Sequence, residues 1–483
     1  MFVALRGSLT KSSNAIESPR VFNICLGQLP DPIDPRSLRT AASYITIRQC
    51  SRSLTNYNQS GQLVGDLAER WQFSSDFKSV KFWIRDDAKW SDGTAVTATD
   101  LAYTLEWLKR SKKTVHFEMH LIEKIIIDEK TIELHFTKPM PNFLHSASHP
   151  EFSAYNIVNE EAVLTRTSGP FRILKTANYQ ELHLNKHYTQ TSKPRPQAFR
   201  IVTSKSNEET SSLLENGHCD FAFVRNLPTE KESKIFADFK IHKHPIPIGF
   251  TFFASLNPNN LNIDERLLLS SIINKSAYDQ RKSYPDFSHA KHLFLNDGPG
   301  RLTSQEIKSL WDKIDNSSKP DSLLKQPINI LAPRNYWFGK MVRDTLESKG
   351  IKCRLVLYDT QDEYAQKIKS NQYDILINNN DYSSIDLAEN LQVTFNSSRP
   401  LVSLGKFRPH FLELLSKLES ASGDHRGELT RSIGQELISS GLVTPLFHMI
   451  YSIYLSKDLS ADDFSRVGFE FSLHKLSIKN THE

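Results

Sequence analysis

The sequence has few cysteines, no long apolar run and no block of like charge, and each absence excludes a class of protein. The four cysteines are Cys25, Cys50, Cys219 and Cys353, too far apart for a Cys-x-x-Cys metal or redox motif. A Cys25–Cys219 disulfide is conceivable, but sequence alone leaves the pairing open. No run of 18 apolar residues occurs, which excludes a segment that spans a membrane as a helix.

Charge is balanced and dispersed along the chain. The chain has 60 Lys and Arg residues and 55 Asp and Glu residues, which gives a formal net charge of +5. Binding of nucleic acid would require a basic stripe, whereas the short cluster from Lys109 to Lys113 is typical of a solvated helix end. We therefore expect no nucleic-acid partner.

Motifs of catalysis and cofactor binding are also missing. The sequence has no nucleophile elbow, no Walker loop and no Gly-x-Gly-x-x-Gly after a predicted strand. His116 and His120 have a spacing that zinc sites use, but Glu118 is in the wrong position for a metalloprotease, and ordinary loop or helix histidines explain them as well. The same holds for His242 and His244. We expect neither an enzyme nor a resident metal or cofactor.

The order of strands and helices predicts an α/β protein with two lobes. A strand at 199–202, a helix at 208–216 and a strand at 220–224 form a β-α-β unit, which favours a parallel sheet. The pattern recurs about a hundred residues later, with strands at 328–332, 353–357 and 373–377 and helices at 339–349 and 363–370. Residues 63–71 are predicted as a short helix.

One window carries a specific resemblance. Residues 81–103 read KFWIRDDAKWSDGTAVTATDLAY. This resembles the signature of the extracellular solute-binding family that serves oligopeptide, dipeptide and nickel importers. Further segments agree in the same order, and together the resemblance covers roughly residues 20 to 458. The matching features of the window are Phe82, Arg85, Trp90, Asp92, Gly93, Val96, Thr97, Ala98, Asp100 and Leu101.

Most of these matches have a structural interpretation. Asp92-Gly93 is a tight-turn dipeptide, and Trp90 is predicted to anchor a core. Asp100 is predicted in the first turn of a helix, where the helix dipole favours a carboxylate, after Thr97 or Thr99 as N-cap.

The resemblance implies a two-lobed, three-domain periplasmic binding protein fold with mixed α/β sheets and a hinge between the lobes. Two connecting strands, near Phe250 to Leu256 and Pro445 to Tyr454, would act as hinges. Domain I would comprise residues 20–45, 169–265 and 451–483, domain II the inserted residues 46–168, and domain III residues 266–450.

The resemblance further implies a function without catalysis. The protein would capture an oligopeptide or dipeptide in a closing cleft and deliver it to the permease subunits of an ABC transporter. It would be a monomer in a periplasmic or other extracytoplasmic location, although residues 1–19 lack the apolar core of a secretory signal.

The family's amine-binding Asp corresponds to Asp381, in the run Asn378-Asn-Asn-Asp-Tyr382. An Asx turn that caps the loop is the alternative role for Asp381, and Asp386 is a weaker candidate for the amine. The peptide-binding residues predicted with Asp381 are Asn378, Asn380, Tyr382, Arg39, Thr40, Phe250 and Phe252.

Several departures concern the ligand rather than the fold. Asn378 stands where oligopeptide binders carry Trp, Ile375 stands in place of an Arg, and the proline that usually follows the Asp-Tyr pair is missing. Arg39 replaces an acidic side chain, which would suit a carboxylate of a shorter peptide, or it is a solvated loop residue. The alternative ligand is a non-peptide such as nickel or a metal chelate.

Overall fold

The computed structural model describes residues 20–27, 33–38, 40–58, 62–111, 117, 119–175, 179–188, 195–224, 241–280, 287–294, 300–317, 327–334, 337–381, 387–395, 402–461 and 472–479. The strands are β1 (Val21–Cys25), β2 (Thr55–Tyr57), β3 (Leu63–Gly65), β4 (Ala68–Phe73), β5 (Ser79–Ile84), β6 (Ile122–Asp128), β7 (Thr131–Phe136), β8 (Tyr155–Val158), β9 (Glu161–Thr167), β10 (Phe171–Lys175), β11 (Gln180–Leu184), β12 (Ala198–Val202), β13 (Phe221–Val224), β14 (Ile241–Leu256), β15 (Phe287–His289), β16 (Ile328–Pro333), β17 (Cys353–Tyr358), β18 (Ile375–Asp381), β19 (Val443–Ser456), β20 (Leu459–Ser460) and β21 (Ser477–Ile478). The α-helices are α1 (Ala41–Cys50), α2 (Ala98–Arg110), α3 (Phe143–Ser146), α4 (Asn207–Glu215), α5 (Ile263–Gln280), α6 (Ser304–Ser317), α7 (Trp337–Ser348), α8 (Gln361–Ser370), α9 (Leu387–Phe395), α10 (Arg408–Ser420) and α11 (Gly423–Ser439).

A single sheet runs through both α/β halves of the molecule. Its path is β10-β11-β12-β1-β13-β19-β14-β18-β16-β17, and β15 pairs with β19. In the first half β1 lies parallel to β12 and β13, and in the second half β16 lies parallel to β17 and β18. The β-α-β prediction is therefore confirmed, but the two expected sheets are joined by the long antiparallel pair β14 and β19.

A separate antiparallel sheet lies in the part of the chain between α1 and β10, which is called the inserted unit below. Its order is β4-β5-β7-β6. Helix α2 covers it with the side chains of Leu101, Leu105 and Leu108, which are buried because they recur at helical spacing. This unit has its own hydrophobic core, in which Trp90 is 1% exposed, as predicted.

The start of helix α2 and the turn before it form as the sequence predicts. Gly93 has φ +92°, a left-handed conformation that glycine adopts without strain. The Thr97 hydroxyl accepts a hydrogen bond from the backbone N–H of Asp100, and the Asp100 carboxylate accepts one from the N–H of Thr97. This reciprocal capping box fixes the helix start at Thr97.

The helix predicted for residues 63–71 is wrong. The chain instead forms β3 and β4 with a bend between them. Leu67 and Ala68 are fully buried, and their N–H groups donate to the carbonyls of Ser53 and Leu54. Pairing of β4 with β5 therefore overrides the helical spacing of the apolar residues.

Helices α5, α6, α9, α10 and α11 build the second half outside the sheet. Their shared core includes the side chains of Trp311, Leu391, Phe411 and Leu437. In the described part of the chain, none of the helices combines the length and the apolar character needed to cross a membrane.

Cys25 and Cys219 form a disulfide in the first half, which answers the question left open by the sequence. Cys25 ends β1, and Cys219 lies just before the neighbouring strand β13. Both are buried in a small cluster with Leu214 and Tyr454. Cys50 and Cys353 are free thiols.

Candidate functional site

Strands β14 and β19, which run from one half into the other, are called the crossing strands below. The carboxyl ends of the parallel strands from both halves face each other along them. In the first half, β13 ends at Val224, which pairs with Ser452 of β19. In the second half, β18 ends at Asp381, which pairs with Phe250 of β14. Phe250 in turn pairs with Met449 of β19. Along β19 the two pairing positions, Met449 and Ser452, are three residues apart, an offset of about 10 Å at the usual strand rise.

Two prolines explain why the hydrogen-bond ladder between β14 and β19 is interrupted at this point. Pro245 and Pro247 lack a backbone N–H, so they cannot donate to the ladder. The register between β14 and β19 shifts between Pro245 and Gly249. The ladder is thus interrupted where the chain passes from one half to the other.

The run predicted to bind the ligand lies at this junction. Asn378 to Asp381 form the last residues of β18 and pair with Phe253 to Phe250 of β14. Asp381 is the final residue of the strand rather than part of a loop after it. Asn378 is 2% exposed, and its side-chain oxygen accepts a hydrogen bond from the N–H of Asn379. Tyr382 and Asp386 lie outside the described residues.

The second predicted group, Arg39 and Thr40, follows β1 in the chain. Gly27 follows β1 with φ +84°, and Thr40 caps helix α1 through its hydroxyl, which accepts from the N–H of Ser43. Arg39 lies outside the described residues. Thr40 therefore has a defined structural task at the start of α1.

One face of the crossing strands carries aromatic side chains. The ring centroids of Phe252 and Phe338 are 4.3 Å apart, as are those of Trp337 and Phe338. Phe447 of β19 packs 5.4 Å from Phe338. Phe252 is buried, whereas Phe250 and Trp337 are half-buried. This face gives the junction an apolar wall close to the end of β18.

The opposite face carries a buried polar group. Thr251 shares a hydrogen bond of 2.8 Å with Nδ1 of His448, which joins the two crossing strands. The His292 ring lies 5.0 Å from the His448 ring, and Arg301 donates to Nε2 of His292. Burial, followed by the Arg301 charge, lowers the pKa of His292 to about 4. Burial, and then His292, Arg301 and His289, lowers the pKa of His448 well below its usual value. Both imidazoles are therefore neutral at pH 7.

Sequence reasoning missed the residues that surround the predicted run. Trp337 and Phe338 begin the helix that follows β16, so their place after a parallel strand was a usable signal. Thr251 and His448 stand 197 positions apart and meet only through strand pairing.

Among the described residues, no group of three or more His, Cys, Asp and Glu side chains is arranged so that it could hold a metal ion. His116 and Glu118 lie outside the described residues, and His120 occupies a short 3-10 turn. His242 and His244 lie on β14, as predicted for a strand.

Curated proteins of similar sequence are peptide-binding proteins by name. The chain is 23% identical over 361 residues to the oligopeptide-binding protein OppA of Bacillus subtilis, a match that covers 66% of each protein. It is 23% identical over 271 residues to the periplasmic murein peptide-binding protein MppA of Escherichia coli, which covers 50% of each. These alignments span between half and just under two thirds of the relatives' length.

Solved structures share the fold over nearly the whole chain. NikA from Brucella suis in complex with Fe(III)-EDTA superposes with a TM-score of 0.79 at 16% identity, over 95% of this chain and 100% of that one. DppA from Helicobacter pylori in complex with the peptide STSA superposes with a TM-score of 0.73 at 15% identity, over 95% and 98%. Both are two-lobed binding proteins of this architecture.

A family model gives the assignment. The model described as bacterial extracellular solute-binding proteins, family 5 middle, matches residues 62–400, more than half of the chain. The match spans the chain from β3 to β18 and includes the first crossing strand β14. The chain belongs to family 5 of the bacterial extracellular solute-binding proteins.

Proposed function

We propose that this protein captures short peptides in the gap between its two halves and hands them to the permease of an ABC importer. The observation that carries the proposal is the meeting of two carboxyl edges at the crossing strands. In open α/β sheets, ligands bind outside the carboxyl ends of the parallel strands. Here the ends of β13 and β18 face each other three residues apart along β19.

The chemistry of the junction favours a peptide. Asp381 is proposed to pair with the ligand's ammonium group, because an unpaired charge in a closed cleft is very costly. Asn378 and Asn380, with Tyr382, would serve the peptide main chain. Phe250 would contact an apolar side chain, while buried Phe252 supports it from behind. Arg39 and Thr40 are proposed to reach the ligand from the other half.

Binding is proposed to close the gap. Domain I would comprise residues 20–45, 169–265 and 451–483, with the inserted domain II at 46–168 and domain III at 266–450. Strands β14 and β19 would bend at the interrupted ladder near Gly249. Closure excludes water, so hydrogen bonds and ion pairs to the ligand become stronger.

The working location is proposed to be outside the cytoplasm, with the protein as a monomer. The Cys25–Cys219 disulfide supports this location, because disulfides persist in oxidising compartments. Exposed surfaces of both lobes would then meet the permease.

The Asp381→Asn variant is expected to lose about 100- to 1000-fold in affinity for peptides with a free amino end. Removing one partner of a buried ion pair costs about 3–5 kcal/mol, and each 1.4 kcal/mol corresponds to tenfold. Isothermal titration calorimetry on hits from a thermal-shift screen of di- to pentapeptides measures the loss. Asp424→Asn, on the exposed start of α11, is the matched control and should bind as the unaltered protein does.

N-terminally acetylated copies of the same peptides separate the role of Asp381 from a general loss of fold. They should bind weakly to the unaltered protein and equally weakly to Asp381→Asn. Equal affinity of both proteins for free-amine peptides would remove Asp381 from the site. Stabilisation by nickel or Fe(III)-EDTA alone, with no response to any peptide, would overturn the peptide assignment in favour of a metal chelate.

A further inference from the structure

Two side chains of the inserted unit contact the second half at the end of α10. Lys138 and Asn142 lie between β7 and α3 of the inserted unit. The Lys138 ammonium donates to the carboxylate of Glu419, in the last turn of α10. Nδ2 of Asn142 donates to the carbonyl oxygen of Ala421, the C-cap of α10, at 2.6 Å.

These contacts join two bodies that have separate cores. The inserted unit packs around Phe143 and its neighbours, whereas α10 packs on the helical cluster of the second half through Phe411, Leu415 and Leu418. The bonded residues are 281 and 279 positions apart in sequence. Local chain geometry therefore does not impose the contact, and it forms only when the two bodies lie together.

The end of α10 is suited to receive these donors. The last carbonyls of a helix have no partner within the helix and carry partial negative charge, which favours a nearby cation. Arg426 donates to the carbonyl of Leu418 at 2.5 Å and so holds this helix end in place within the second half. The side chains of Lys138 and Glu419 are 29% and 18% exposed, so water screens their attraction less than that of a surface pair.

We propose that Lys138–Glu419 and Asn142–Ala421 form a latch that holds the inserted unit against the second half before any ligand arrives. A partly buried ion pair and one hydrogen bond together shift the ratio of closed to open molecules about tenfold. The latch thereby sets how much of the free protein is already in the closed state. The apparent affinity of a ligand that binds the closed state rises in proportion to the fraction of the free protein that is already closed.

Small-angle X-ray scattering of the ligand-free protein tests the latch directly. Lys138→Glu opposes two carboxylates and Glu419→Lys opposes two ammonium groups, so each variant should scatter with a larger radius of gyration at low salt. The double variant Lys138→Glu, Glu419→Lys restores the attraction and should return the radius to that of the unaltered protein. Asn142→Ala should increase the radius less than either charge reversal does.

Lys275→Glu is the matched control, because Lys275 pairs with Asp315 within the second half. It should leave the radius unchanged, and the melting temperature of each variant checks that it is folded. Single reversals that scatter like the unaltered protein, or a double variant as expanded as the singles, would overturn the proposal. The experiment uses no ligand, so its outcome is independent of whether the solute is a peptide.

Discussion

Removal of the Cys25–Cys219 disulfide is expected to lower the free energy of unfolding by about 5 kcal/mol. The cross-link closes a loop of 194 residues, and a loop this long removes much conformational entropy from the unfolded chain. The bond also joins two neighbouring parallel strands of the first half, because Cys25 pairs with Ala222 just beyond Cys219. Its loss therefore acts where β1 and β13 hold the sheet together.

The double variant Cys25→Ala, Cys219→Ala isolates this effect, since a single substitution would leave a buried unpaired thiol. Urea unfolding followed by circular dichroism gives the free energy for the oxidised protein, the reduced protein and the double variant. Cys353→Ala, which removes a half-buried free thiol, is the control and should change the free energy little. A double variant within 1 kcal/mol of the oxidised protein would contradict the loop-closure account.

Acidification from pH 7 to pH 5 is expected to lower the free energy of unfolding by about 2 kcal/mol through each of three buried histidines, His292, His448 and His474. Burial lowers the pKa of His474 to about 3, with smaller effects of Lys475, Arg195 and Arg52, and that of His292 to about 4. The unfolded chain, with a histidine pKa near 6.5, binds more protons than the folded protein in this range. The stability is thus complete above pH 6.5 and is lost as the pH falls toward 4, by about 2 kcal/mol per histidine at pH 5.

His474 is the better site for the test, since it lies in the C-terminal segment and not on the crossing strands. Its ring packs edge-on against Tyr188 at 5.0 Å, and among the described residues Nδ1 has no hydrogen-bond partner. His474→Gln should reduce the pH dependence of the urea midpoint between pH 7 and 5 by about a third. His425→Gln, at an exposed position, is the control and should keep the full dependence. Identical slopes in all three proteins would show that His474 does not carry the effect.

Local patterns predicted the elements that depend on local interactions. The capping box at Thr97 and the turn at Gly93 both form between residues that are close together in sequence. The helix expected at residues 63–71 failed, because backbone groups of Ser53 and Leu54 bond that segment from elsewhere in the chain. Propensity has no information about such partners.

The candidate site likewise combines a segment that the sequence predicted with contacts between residues that are distant in sequence. The run from Asn378 to Asp381 was predicted from the resemblance to the family, and in the structure it forms the end of β18. The Thr251–His448 bond and the latch join residues hundreds of positions apart, and only the folded sheet brings them together. The ligand chemistry depends on such distant contacts, and for that reason the sequence identifies the family more sharply than the solute.

The order of the large sheet also constrains how the chain can fold as it is made. Strand β19 lies between β13 and β14, although it ends at Ser456, more than two hundred residues after either of them begins to form the sheet. Until β19 emerges, β13 and β14 each present an open edge, and such edges invite pairing with other chains. Neither half can complete its sheet during synthesis of the first four hundred residues. Folding is therefore dominated by long-range pairing, which is slow, and a nascent chain stays incompletely folded until almost all of it is available.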